Sequence, residues 1–442
     1  MITQRAVYLD CNATHPLLPA VREGLRASLA SVDPEILNPS SVHRHGQSAK
    51  AMVARLRAAL GAYVGRADGD EWVFTSGATE AINTVLRGFC ANRRSESRLP
   101  FVITSSAEHS AVLETLAHCG AAGVQVIGVD RHGQPDIESL SRVVREILQD
   151  ERADVLVSLN LVNNETGVLL DYERLAAALT EIREAFERRE GVTGSKRFYA
   201  ESLERRVWLH LDAAQAFGKI EPRHLRMAWY QADYASVSAH KLGAASGIGA
   251  LWLRPQVPFA PFVTGGVQEK KRRAGTFNSL AALSWLLALE DWRAHGDAYR
   301  SHMKDLRALL HARLAKTSGY HVHGLTSEGD LPAAVNTLNF HIDDCDEESL
   351  VMALDVEGFS VSSGSACNSG SLKPSHVLLA MGYDAAIALA SVRLSLGVET
   401  TAEEITDFAD ALEAIVSRIR DGKNYWAGVL PQMRATPGGG AT

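Results

Sequence analysis

The chain contains a lysine that closely follows a serine and a histidine, and an aspartate that ends an earlier apolar run. Lys241 follows Ser238 and His240, so an amine nucleophile stands beside two side chains able to hold a phosphate. Asp212 ends the apolar run 207–212, where its carboxylate could meet a protonated ring nitrogen. An amine for a Schiff base and a carboxylate that tunes a pyridine ring are what pyridoxal phosphate requires of a protein. The two segments therefore predict a pyridoxal phosphate site.

Further side chains at the ends of strand-like runs extend the predicted site. Gly77, Ala78 and Thr79 follow one run and begin a helical pattern, where backbone N–H groups and the threonine hydroxyl would bind a phosphate. Gln215 lies three residues after Asp212 and would reach the cofactor's phenolic oxygen. Each signal is weak alone, since small residues begin many helices and a glutamine often caps a turn.

The composition is that of a globular protein. The 442 residues are 46% hydrophobic and 22% charged with a net charge of −7, and no basic stripe indicates nucleic acid. No apolar run approaches the roughly 18 residues of a membrane span, and the first ten residues do not resemble a signal peptide. Five scattered cysteines without a Cys-x-x-Cys pair argue against disulfides or a zinc site. We expect a cytoplasmic protein without a metal, a nucleic-acid partner or a membrane partner.

The order of apolar runs predicts an α/β fold. Strand-like runs alternate with helix-period segments from about residue 46 to 255, which is typical of a mainly parallel sheet with ligands at the carboxyl ends of its strands. The expected buried strands are 72–75, 101–104, 124–127, 155–159 and 207–211.

A second, smaller domain is expected after a long helical pattern that begins past residue 277. Shorter strand and helix patterns beyond it indicate an α+β domain. We predict a large cofactor-binding domain at 16–294, and a small domain formed by 1–15 and 295–442.

Motifs in a fixed order resemble the cysteine desulfurases of the NifS and IscS type, within the class V aminotransferases. The resemblance runs from Tyr8 to about Arg420, and its most specific segment is the Ser- and Gly-rich stretch 362–371 around Cys367. This stretch is similar to the family's long sulfur-accepting loop. One such motif is weak evidence, whereas many in order are strong. The other landmarks include 9–14, 38–43, 75–80, 108–113, 163–167, 273–276 and 391–397.

The resemblance implies a fold-type-I homodimer that converts L-cysteine to L-alanine. It implies that sulfur remains as a persulfide on Cys367 and then passes to an acceptor protein, such as an iron–sulfur scaffold, or serves thio-cofactor synthesis. Lys241 would form the Schiff base, Asp212 would pair with the ring nitrogen, and His109 would stack on the ring and shuttle protons.

The same resemblance assigns roles to residues farther along the chain. Asn164 would touch the cofactor or substrate, and Arg393 would hold the substrate carboxylate through a two-pronged pair. Ser238 and His240 would bind the phosphate together with a threonine of the partner subunit, which corresponds to Thr276.

Several alternatives and departures from the family remain open at this point. A selenocysteine lyase shares the fold, cofactor and cysteine; a class V transaminase would leave the Cys367 loop unexplained; and a partner-binding pseudoenzyme would not need the site. The segment 187–206 is longer than is usual, and 243–247 lacks the usual proline and basic residue. Residues 424–434 could dock an acceptor or pack on their own domain. The four other cysteines are interpreted as structural.

Overall fold

The computed structural model describes residues 6–31, 35–66, 70–189, 205–324, 332–345, 347–363 and 373–435. Cys367 and most of the 187–206 segment therefore lie outside the described residues. The strands are β1 (Val7–Tyr8), β2 (Glu71–Thr75), β3 (Leu99–Ser105), β4 (Gly123–Ile127), β5 (Ala153–Asn160), β6 (Val207–Asp212), β7 (Tyr234–Ser238), β8 (Gly249–Leu253), β9 (Tyr320–Val322), β10 (Thr337–Ile342), β11 (Phe359–Ser360), β12 (Ser362–Ser363) and β13 (Val392–Ser395). The helices are α1 (Pro19–Ala30), α2 (Arg44–Tyr63), α3 (Ala78–Ser95), α4 (Ser110–Leu116), α5 (Ile137–Ile147), α6 (Tyr172–Arg189), α7 (Pro222–Gln231), α8 (Ser279–Leu314), α9 (Glu347–Val356), α10 (His376–Ala380), α11 (Ala385–Ala390) and α12 (Ala402–Ala435), with short 3₁₀ turns at Ala239–Leu242 and Gln268–Lys271.

A seven-stranded sheet in the order β2-β8-β7-β6-β5-β3-β4 forms the centre of the molecule. The pairs from β7 through β6, β5 and β3 to β4 are parallel, whereas β8 runs antiparallel to both of its neighbours. Strands β5 and β6 are almost wholly buried, because helices cover both faces of such a sheet. The predicted α/β fold with a mainly parallel sheet is confirmed.

One of the five expected buried strands differs in its environment. Strand β4 forms where the sequence predicts it, but the side chains of Val124 and Val126 are 36% and 51% exposed. Among the described strands it pairs with β3 alone and ends the sheet, so it is an edge strand and not a buried one. An apolar run does not distinguish an edge position from a central one, and the prediction of burial was wrong here.

The second sheet has the order β12-β13-β10-β9 and is antiparallel throughout. Strand β1 pairs in parallel with β11, and Asp10 forms a further bridge to Ser395 of β13. The first residues of the chain therefore pair with β11 and with β13 of the second sheet. Strand β12 pairs Ser362 with Arg393, immediately before the segment that holds Cys367.

Helix α8 links the regions of the two sheets and packs against α1, α2 and α12. The predicted domain boundary near residue 294 falls inside this continuous helix, and the division into 16–294 and the remainder stays a prediction. Helix α12 runs from Ala402 to Ala435. Among the helices of the described ranges, none has the length and apolar character needed to cross a bilayer.

Candidate active site

A cavity of about 370 Å³ opens at the carboxyl ends of β6 and β7. Its volume is within the roughly 300–1,000 Å³ typical of small-molecule sites. Of the residues expected to bind the cofactor, the cavity wall includes Ala78, Thr79, His109, Asp212, Gln215 and Ser238. It also includes His240, Lys241, Asn164 and Arg393. Thr276 is exposed and lies outside this wall, and Cys367 lies outside the described residues.

Lys241 is positioned by a turn that follows β7 directly. The 3₁₀ turn ends at Gly243, whose φ of 87° is in the left-handed region that favours glycine. The Lys241 Nζ donates to the backbone carbonyls of Asn12 at 2.6 Å and Ala13 at 2.8 Å. The amine is thus held at the cavity wall by the segment after β1.

Asp212 and His109 are ionisable residues of the cavity wall, and each affects the pKa of the other. Asp212 is the last residue of β6, and burial raises the pKa of its carboxyl, although His109 and Lys241 oppose this rise. Burial lowers the pKa of His109, against the attraction of Asp212. The Nδ1 of His109 accepts from the backbone N–H of Ala111 at 3.0 Å, so the neutral ring carries its proton on Nε2. A cationic ring nitrogen beside Asp212 would favour its charged form.

The N-terminus of helix α3 lies at the cavity, where the sequence predicts an anion site. Gly77 is its N-cap residue, and no side chain in the described ranges caps the first turn. A Cβ added at Gly77 would meet no atom of those ranges within 4 Å. Helix N-termini attract anions because their first N–H groups have no intrahelical acceptor. The turn is braced by Glu80, which accepts from the Ser76 N–H at 2.8 Å and pairs with Arg273 at 2.9 and 3.1 Å.

Two side chains that are expected to bind the phosphate also line the cavity. Ser238 ends β7 and is buried. His240 lies on the following turn, and burial, reinforced by the positive charge of Lys241 and Lys219, lowers its pKa to about 4. A bound phosphate dianion would raise that pKa again, since an adjacent anion favours the charged imidazole.

The sequence analysis did not assign Asn12, which lines the cavity, or Lys219, which lies behind it and contacts Asn12. The buried Lys219 Nζ donates to Asn12 Oδ1 at 2.9 Å and to Gln215 Oε1. Gln215 in turn donates to the Asn12 backbone carbonyl at 3.0 Å. The lysine therefore fixes which end of the Gln215 amide faces the cavity. A lysine four positions after Gln215, within the same motif, was the available signal.

Arg393 also lines the cavity, and it is almost wholly buried. Its Nη2 donates to Asp10 Oδ1 at 2.7 Å and its Nη1 to the Asn164 carbonyl at 3.1 Å. The Nε has no hydrogen-bond partner among the described residues. A buried guanidinium N–H without an acceptor leaves this arginine able to accommodate a ligand carboxylate.

The chain's own groups fit pyridoxal phosphate. Burial lowers the pKa of Lys219 well below its usual range, and neighbouring Lys241 and Arg393 lower it further. This excess of buried positive charge is what an anionic ligand would neutralise. An amine, a carboxylate and an uncapped helix start surround one cavity at the carboxyl edge of the sheet. The fold and site define a pyridoxal-phosphate-dependent enzyme of fold type I.

Comparisons with known proteins agree with this geometry. The family model for aminotransferase class-V matches residues 7–186 and 191–408. A cysteine desulfurase of Cereibacter sphaeroides is 38% identical over 421 residues, covering 94% of this chain and 96% of that protein. The cysteine desulfurase IscS of Dictyoglomus turgidum is 31% identical over 425 residues, covering 96% and 97%.

Solved structures give the same result at the level of the fold. A NifS-like protein from Rickettsia africae superposes with a TM-score of 0.76 at 26% identity, covering 93% of this chain and all of that one. Another NifS-like protein superposes with a TM-score of 0.77 at 30% identity, covering 93% and 99%. The chain belongs to the class V aminotransferase family, and its cofactor is pyridoxal phosphate.

Proposed function

We propose that the protein is a cysteine desulfurase, which converts L-cysteine to L-alanine and retains the sulfur on Cys367. The observation that carries this proposal is the register of β12 and β13. Ser362 pairs with Arg393, the residue suited to the substrate carboxylate, and Ser362 is the first residue of the stretch 362–371 that contains Cys367. A transaminase of the same family does not need a thiol at this place.

The stretch of chain between β12 and Cys367 is long enough for the cysteine to reach this cavity. Cys367 is four positions beyond Ser363, a span of at most about 14 Å when extended. After the loop, Ser375 donates to the buried Glu165 and His376 contacts the Glu108 carbonyl at 2.8 Å. The residues that follow the loop are therefore held beside Asn164 and His109 of the cavity wall. We infer from the length of the chain that Cys367 can reach bound substrate.

The proposed reaction is balanced without an external oxidant. A bond forms between Cys367 Sγ and the substrate sulfur while the substrate C–S bond breaks, giving the persulfide and a methyl group. The two sulfur atoms are oxidised and the substrate carbon is reduced, and the proton lost from the Cys367 thiol is matched by one gained at carbon. Bound pyridoxal phosphate supplies the electron sink that makes cleavage at the substrate carbons feasible.

The chain's residues divide the remaining tasks. Arg393 orients the substrate carboxylate, and Lys241 anchors the cofactor and then exchanges protons as an amine. Asp212 holds the cofactor's ring nitrogen in its protonated form. His109, neutral with its proton on Nε2, is placed to donate that proton at the cavity wall. Gln215, which lines the cavity, would hold the phenolic oxygen of the cofactor.

The assembly and pathway are part of the same proposal. The protein acts as a homodimer in which Thr276, exposed and outside its own cavity, completes the phosphate site of the other subunit. The persulfide passes its outer sulfur to an acceptor protein for iron–sulfur clusters or thio-cofactors, in the cytoplasm. The four described cysteines, 11, 90, 119 and 345, are buried, which leaves Cys367 as the thiol for transfer.

Anaerobic turnover of L-cysteine with a reductant tests this function directly. We expect equal amounts of alanine and sulfide from the wild type, and loss of both in Cys367→Ala with the cofactor still bound. Cys345→Ala is the matched control and should retain turnover. Alanine formation that persists undiminished in Cys367→Ala would contradict the proposal. Turnover of selenocysteine alone would assign a lyase instead.

Arg393→Lys tests the substrate-binding role. We expect the KM for L-cysteine to rise about tenfold or more with a smaller change in kcat, because an ammonium cannot form the two-pronged pair. Steady-state kinetics measure both constants. Arg98→Lys, which alters a two-pronged pair with Asp154 at the opposite edge of the sheet, should leave KM unchanged. An unchanged KM in Arg393→Lys would remove the arginine from this role.

A further inference from the structure

Two histidines and one aspartate converge at the outer edge of the second sheet, and none of them lines the cofactor cavity. His321 of β9 and His341 of β10 are directly paired, and their rings stack with centroids 4.9 Å apart. Asp343 follows β10, with Oδ2 3.1 Å from His321 Nε2 and Oδ1 3.6 Å from His341 Nε2. One ligand atom from each residue lies within 4.8 Å of the other two.

A chain of hydrogen bonds fixes the proton positions behind this cluster. Asn339 donates through Nδ2 to the Glu165 carbonyl at 3.2 Å, so its Oδ1 is the atom that faces His323 Nδ1 at 2.7 Å. His323 must therefore carry its proton on Nδ1. Its Nε2, 2.8 Å from His341 Nδ1, accepts in turn. His341 consequently carries its proton on Nδ1 as well.

The hydroxyl of Ser391 supports the same assignment. It donates to the Ile387 carbonyl at 2.6 Å, so only its lone pairs face His323 Nδ1, at 3.5 Å. Asn339 Oδ1 and Ser391 Oγ are therefore both acceptors toward His323 Nδ1, so this nitrogen carries the proton.

The consequence is an imidazole lone pair that points at a carboxylate. His341 Nε2 and Asp343 Oδ1 are both acceptors, and two facing acceptors repel unless a cation lies between them. A histidine that binds a metal through one ring nitrogen usually donates the N–H of its other ring nitrogen to a neighbouring acceptor. Imidazole and carboxylate together suit zinc and its neighbours among the divalent transition metals.

The exposure of the three side chains suits binding of an ion from solvent. His341 is 9% exposed, whereas His321 and Asp343 are 53% and 54% exposed. One ligand is thus rigidly held, and the open side leaves room for water as a further ligand.

We propose that His321, His341 and Asp343 form a binding site for a divalent transition-metal ion, with solvent completing its coordination. The bound ion links His321 of β9 to His341 of β10 and to Asp343, which follows β10. This site revises the expectation of no metal, which rested on the spacing of the cysteines. Two adjacent strands bring the histidines together, although they are distant in the sequence.

Titration of the full-length, cofactor-loaded protein with Zn²⁺ tests the site. The titration uses the Cys367→Ala protein, so that the loop thiol does not compete for the ion. We expect one Zn²⁺ per chain at these residues and a rise in Tm on its addition, since binding to the folded state stabilises it. His321→Ala and Asp343→Ala should each weaken binding about tenfold or more and remove the rise in Tm.

The control is His295→Ala, which removes an exposed histidine paired with a single aspartate, Asp291, at 3.0 Å. It should leave Zn²⁺ binding unchanged. Retention of cofactor absorbance in every variant shows that the fold is intact. Zn²⁺ affinity equal to that of the parent in both His321→Ala and Asp343→Ala would overturn the proposal. Absence of Zn²⁺ binding to the parent protein would also overturn the proposal. In that case a proton, and not a metal ion, would lie between His341 Nε2 and Asp343 Oδ1.

Discussion

Replacing Lys241 by alanine is expected to abolish covalent attachment of the cofactor and to lower turnover roughly a thousandfold or more. The amine at the cavity wall is the anchor, and alanine offers no nucleophile in its place. Borohydride reduction of the wild type followed by peptide mass spectrometry should place the cofactor on Lys241. Non-covalent retention of pyridoxal phosphate in the variant, held by the helix α3 start, would show that the phosphate site is intact.

Lys219 provides the matched control for this prediction. It is a second buried lysine of the same region, but its Nζ is held by Asn12 and Gln215, and it does not line the cavity. Lys219→Met should retain the reducible cofactor link while losing thermal stability, because Gln215 Oε1 loses its donor and Asn12 Oδ1 keeps only Asn336. Labelling of Lys219 in the wild type, or persistence of the covalent link in Lys241→Ala, would refute the assignment.

Replacing Asp212 by asparagine is expected to lower kcat about a hundredfold or more with the cofactor still bound. The neutral amide cannot hold a proton on the ring nitrogen, and an unprotonated ring is a poorer electron sink. Because Asp212 is buried, solvent does not replace the lost charge. Absorbance spectra of the bound cofactor and single-turnover rates with L-cysteine measure the effect.

Asp154 is the matched control, since it is a buried aspartate near the opposite, amino end of a strand in the same sheet. It pairs with Arg93 and Arg98 and lies in β5, next to the strand that ends in Asp212. Asp154→Asn should lower Tm and leave kcat unchanged. Equal losses of kcat in both variants would indicate a general effect on the sheet and not a role for Asp212 in the chemistry.

The cofactor-binding residues could be located from the sequence because their signals are local. Asp212 and Ser238 each end a strand, and Lys241 follows three residues later, so the pattern of apolar residues already placed them at one edge of a parallel sheet. The helix start at Ala78 was predictable for the same reason. Burial of a strand was less predictable, as β4 shows, because the position of a strand within a sheet depends on which other strands pair with it.

The sequence by itself determined the family, the α/β fold and the cofactor, and it predicted most of the residues that line the cavity. Only the tertiary structure decided how these residues are held. Asn12 meets Gln215 from 203 positions away, and Arg393 meets Asp10 from 383. Periodicity reports neighbours within a few residues along a helix or strand, whereas such contacts depend on how two sheets pack. The histidine cluster of β9 and β10 arises in the same way, from strand register and not from spacing along the chain.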